Sequence, residues 1–137
     1  MTSVQFTTIV LWLAALFSLV AGIYLFVAPH SFYDQFATFP PYNRHLMHDV
    51  GAFQIGIGAT LLLALRWTDA SFVALAGAGA GASVHFVAHV IDHNLGGETS
   101  QTAMFGVLAV LLLLATALRW QAMRKDAMPA QTRDEAR

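Results

Sequence analysis

The sequence predicts an all-α membrane protein, a four-helix transmembrane bundle with up-down topology, on three observations. Hydrophobic residues make up 57% of the 137-residue chain and charged residues 11%. An ordinary soluble domain carries about 25% charged residues, so this chain cannot supply the polar shell of a soluble fold. The apolar residues gather in four stretches, each near the ~20 residues a helix needs to cross a bilayer. The stretches are continuous, without the alternation of a membrane barrel. The net charge of -1 offers nothing to nucleic acid, and the lack of cysteine excludes disulfides, thiolate metal ligands and cysteine nucleophiles.

The first stretch covers residues 5–28. No Lys or Arg precedes it, unlike a cleavable signal peptide, so it reads as a retained helix. Pro29 ends it. Ser31 and Asp34 form a capping-box-like pair that predicts a short helix through Ala37. Phe32, Tyr33, Phe36, Phe39 and Tyr42 place that connector in the membrane–water interface. Pro40 and Pro41 break the chain, and Asn43 caps a second helix over 43–65. Residues 66–69 form a tight turn. A third helix over 70–93 ends at Asn94, Gly96 and Gly97, and Thr99 or Ser100 caps a fourth over 102–119. Residues 1–125 thus form one transmembrane domain, followed by a polar tail over 126–137 that is expected to be disordered.

Four spans put both termini and the Arg66 turn on one side, together with Arg66, Arg119, Arg124, Lys125, Arg133 and Arg137. The opposite side holds Arg44. The positive-inside rule then predicts cytoplasmic termini, with Trp67 and Trp120 as interfacial anchors, in a multi-pass plasma (inner) membrane protein.

All six histidines fall at the opposite, outer end of this arrangement. His30 follows the first helix, His45 and His48 open the second, and His85, His89 and His93 close the third. Asp49 and Asp92 lie among them. At about 100° per residue, His45, His48 and Asp49 share one face of the second helix, which Ala52, Gly56 and Ala59 continue. His85, His89, Asp92 and His93 share a face of the third, continued by Ala74, Ala78, Gly81 and Ala82. Small residues let membrane helices approach closely, so these two faces are expected to meet and bring the two His/Asp groups together.

Neutral imidazole is the commonest metal ligand, and carboxylates complete or orient such sites. Imidazole with carboxylate and no thiolate suits zinc, iron, manganese or copper(II). The leading expectation is a zinc or iron ion between the second and third helices. His48, His85 and His89 are the best ligands, Asp49 and Asp92 ligands or tautomer-fixing partners, and His45 and His93 peripheral. Such a site could serve a membrane hydrolase or oxidoreductase. Against it stands the plainer reading of His30, His45 and His93 as interfacial histidines that reach water. A second expectation is a non-enzymatic accessory subunit or small transporter that uses the cluster as a proton relay or pH sensor. A third is bis-histidine haem ligation. Gly77, Gly79 and Gly81 lack the Lys-Ser or Lys-Thr of a phosphate loop and read as packing glycines. Gln54 and Ser83 read as span residues satisfied by neighbours. Beyond the lipid bilayer, a homo-oligomer or larger membrane complex is the partner that glycine-rich faces allow.

The stretch GIYLFVAPHSFYDQF, followed by PPYNRHLMHDVGAFQIGIGATLLLAL, carries Ala-Pro after helix one, an aromatic connector, and Asn-x-His-x-x-x-Asp-x-Gly-Ala opening helix two. In this it resembles small uncharacterised bacterial four-helix membrane proteins of the DoxX-like kind. The resemblance covers residues 22–65 and implies a four-helix fold in a bacterial plasma membrane. Some DoxX-like relatives are associated with quinone-linked oxidoreductases, which adds weight to redox chemistry without naming a reaction.

Overall fold

The structure, a computed structural model, describes residues 2–127 and, at position 68, the backbone alone. The polar tail expected from the sequence lies, from residue 128 on, outside the described residues. Five helices follow one another: α1 Ser3–Val27, α2 Pro29–Phe36, α3 Arg44–Ala64, α4 Thr68–Ile91 and α5 Thr99–Ala127. All but the short α2 are long and apolar enough to cross a membrane. Apolar side chains such as Leu13, Val20, Val107 and Val110 are exposed on the outside of the bundle. Water would penalise that surface and lipid covers it without cost. The chain is an all-α, four-helix multipass membrane protein.

Local chemistry sets the helix ends. Thr2 and Gln5 form a reciprocal capping box at the start of α1. The Asn43 side chain accepts a hydrogen bond from the Leu46 amide and caps α3, as its sequence context indicates. The short connector helix exists, but its cap is not the expected one. Pro29 stands at its first position, where a fixed φ is pre-set for a helix and the missing N–H costs nothing. Ser31 instead pairs with the Tyr24 hydroxyl at 2.8 Å, and Asp34 with His30 Nδ1 at 2.9 Å. The fourth span is longer than expected. The Glu98 carbonyl accepts the Gln101 amide at its start, and α5 continues beyond Arg119 to Ala127. Arg124 and Lys125 in the last turn face the negative end of the helix dipole.

Two tight helix pairs make the bundle. In the first, α1 and α3 run antiparallel with glycines at the contact. A Cβ on Gly22 would stand 2.8 Å from the Gly51 carbonyl oxygen, and one on Gly58 3.0 Å from that of Ala15. In the second, α4 and α5 are antiparallel: Gly106 lies under the Phe86 ring, Gly79 faces Leu112 and Leu113, and the Phe72 and Trp120 rings are 5.4 Å apart. The pairs share a core of Leu11, Ala15, Leu61, Leu75, Leu112 and Ala115. Those residues come from the first half of α1, late α3, early α4 and the middle of α5, so the core sits toward the end that holds the start of α1 and the α3–α4 turn. That turn is fixed by Ser71, whose buried hydroxyl donates to the Ala64 carbonyl at 2.8 Å.

The expected close contact of the small faces of α3 and α4 does not form. A Cβ added at Gly56, Gly77 or Gly81 would meet nothing within 4 Å. The two faces instead wall a cleft of about 870 Å³. The physical reason is competition between faces. Gly51 and Gly58, on another side of α3, let α1 come closer than the Gly56 side lets α4 come.

Candidate functional site

The C-terminal end of α4 carries the most developed constellation. His85 and His89 stand one helical turn apart, and their Nε2 atoms are 3.1 Å from each other. Phe105 of α5 packs on both rings, at 4.2 Å from His85 and 4.8 Å from His89. Phe39 meets His89 edge-on at 5.9 Å.

Phe39 arrives from the α2–α3 connector, and the chain fastens that connector deliberately. Gln101, in the first turn of α5, donates from Nε2 to the Phe36 carbonyl at 2.7 Å. Gly96 and Gly97 adopt φ of +143° and +77°, a region other residues enter at a cost. A Cβ at Gly97 would come within 2.9 Å of the Phe39 ring, and one at Gly96 would collide with the Thr38 carbonyl. The α4–α5 turn and the aromatic connector therefore lock together beside the imidazole pair.

The remaining sequence candidates are distributed differently. His45 pairs with Asp49 on its own helix, Nε2 to Oδ2 at 3.5 Å, both well exposed. His48 turns toward α1, its ring 4.9 Å from Phe26, and its buried Nε2 has no hydrogen-bond partner. His93 contacts the Val90 carbonyl through Nδ1 at 3.2 Å. Asp92 serves α4 as its C-terminal cap through its backbone. His30 belongs to the connector, bonded to Asp34 and packed 4.8 Å from Tyr42. Among the described residues, no three His, Asp or Glu side chains converge as a ready-made metal site. The structure thus brings together one pair of the expected ligands, His85 with His89, and holds His48, His45 and Asp49 in other local settings.

His85 also lines the α3–α4 cleft, with Gln54, Gly56, Gly77, Gly81 and Phe105. Of the two span residues expected to be satisfied by neighbours, Ser83 is: its hydroxyl donates to the Gly79 carbonyl at 2.7 Å. The Gln54 amide is not, having no hydrogen-bond partner among the described residues. An amide without a partner in hydrocarbon costs several kcal/mol.

Sequence reasoning missed Phe39, Phe105 and the exposure of Gln54 to the cleft. Phe105 stands one turn after Gln101 on α5, facing the same end as the histidines, and that register was the available signal. The direction of Gln54 had none, because it depends on which side of α3 is taken by α1.

Chemically, two ε nitrogens 3.1 Å apart either share one hydrogen or share a cation. Two imidazoles on one tetrahedral zinc would hold their nitrogens about 3.3 Å apart, given Zn–N bonds of about 2.0–2.1 Å. The separation by itself is compatible with either arrangement.

No protein-family model, curated protein or solved structure matches this chain.

Proposed function

We propose that the imidazole pair of His85 and His89 is the working centre of this multipass membrane protein and that it holds a transition metal ion, zinc or iron. The observation that carries the reading is the 3.1 Å separation of the two Nε2 atoms. An i, i+4 pair on a rigid helix presents two ligands with little further ordering cost. The Phe105 and Phe39 rings restrict rotation of the imidazoles, and His85 opens onto the cleft. The other coordination positions fall to water, to a bound molecule or to a further side chain. With its termini in the cytoplasm, as the charge distribution indicates, the centre lies near the outer face of the plasma membrane.

The test is elemental mass spectrometry of the protein purified without added histidines. Stoichiometric zinc or iron that falls by half or more in His85→Ala supports the reading. Protein that is metal-free as isolated, and stays so after incubation with either ion, removes it.

The same distance supports a second reading, in which the pair shares a proton and passes it between the cleft and the outer end. Its signature is a pH-dependent response that chelators leave unchanged.

A further inference from the structure

We infer that the α3–α4 cleft is a binding site for a long-chain, uncharged amphiphile, whose oxygen-bearing head hydrogen-bonds to His85 and Gln54 and whose tail runs toward Trp67. This goes beyond the metal proposal and holds with or without an ion on the imidazole pair. Four observations carry it.

The size fits a small molecule: about 870 Å³, inside the range of roughly 300–1,000 Å³ typical of ligand pockets. The shape fits a chain. The α4 wall extends from Ala70 to His85, which at 1.5 Å per residue is about 22 Å, most of the ~30 Å of hydrocarbon.

The walls are built to stay open. Gly56, Gly77 and Gly81 line the cleft, and a Cβ on any of them would meet nothing. A glycine that relieves no close contact in a helix has lost about 1 kcal/mol relative to alanine for no gain in helix packing. Width for a guest is the gain that remains.

The polar groups define the head. No Asp, Glu, Lys or Arg lines the cleft, so a charged head has no counter-ion there. Gln54 offers an amide with no partner of its own, about 15 Å along α3 from its outer end. His85 offers imidazole on the opposite wall, about 9 Å from the end of α4. A carbonyl or hydroxyl oxygen is the head that satisfies an amide N–H and an imidazole together.

The experiment uses ω-bromohexadecanol, whose bromine would lie near Trp67 when its hydroxyl is at His85 and Gln54. Trp12 and Trp120 are changed to Phe, leaving Trp67 as the emitter. The full chain is stripped of metal with chelator and held in detergent micelles, so that failure of the metal proposal does not affect the result. Saturable quenching of Trp67 is expected. It should vanish in Gly77→Leu/Gly81→Leu, where the new side chains have room to fill the cleft and circular dichroism verifies the fold. In Gln54→Leu the apparent affinity should fall about tenfold, one hydrogen bond's worth. Quenching that rises linearly with probe and is equal in all three proteins overturns the inference. So does the absence of quenching in the wild type together with disulfide crosslinking of the Gly77→Cys variant to a second copy.

Discussion

The α1–α3 contact and the α3–α4 cleft use the same residue type to opposite ends. On α3, Gly58 is buried against Ala15 and Leu19, while Gly56, two residues away, faces open space. Gly22 and Gly51 bring two backbones so close that a methyl group on either would strike main-chain atoms of the other helix. Gly77 and Gly81 on α4 touch nothing. A small residue in a membrane helix is therefore not in itself a packing signal. What it does depends on what stands opposite: the Gly58 side of α3 meets α1, while the Gly56 side borders the cleft.

This contrast is open to a graded test by thermal unfolding in detergent. The largest loss is expected for Gly22→Leu and Gly51→Leu, because the obstacles include main-chain atoms that cannot rotate away. Overpacking of this kind costs about 1–3 kcal/mol or more. Retention of wild-type stability in both would show that the α1–α3 pair is looser than described. Gly106→Ala should cost less, about 1 kcal/mol, because its Cβ would meet the Phe86 ring at 3.0 Å and a side chain can shift. A loss as large as that of Gly22→Leu would mean that α4 and α5 are equally rigid. Gln101→Ala removes the tie to the Phe36 carbonyl and is expected to cost about 1 kcal/mol. It should also speed proteolysis in the connector that carries Phe39; an unchanged cleavage rate would show that the connector is held by other contacts. The smallest effect belongs to Gly77→Ala and Gly81→Ala, neutral to about 1 kcal/mol stabilising through helix propensity. Destabilisation of either would place another element against that wall.

The spans and several of their ends were legible in the sequence because they rest on local physics. Length and apolarity define the four crossings, Asn43 caps α3, and Gly96 and Gly97 turn the chain after α4. The pairing of His85 with His89 was legible for the same reason, since i, i+4 on one helix is fixed before any tertiary contact forms. The partner of each helix face was not. His45, His48 and Asp49 lie within one arc of α3, yet His45 and Asp49 stand 3.5 Å from each other while His48 faces Phe26 on α1. Helical angle gives the arc; the competition between the Gly51/Gly58 side and the Gly56 side decides what stands opposite. Phe39 was hidden for a related reason. It reaches His89 through a connector whose position depends on Gln101, distant in sequence.

The central claim is that His85 and His89 hold one ion together. X-ray absorption on zinc-loaded protein counts imidazoles at the metal directly. The account predicts at least two imidazole nitrogens at about 2.0–2.1 Å in the wild type and one fewer in His89→Ala. Zinc that keeps the same imidazole count in His89→Ala, or that shows none in the wild type, would contradict it.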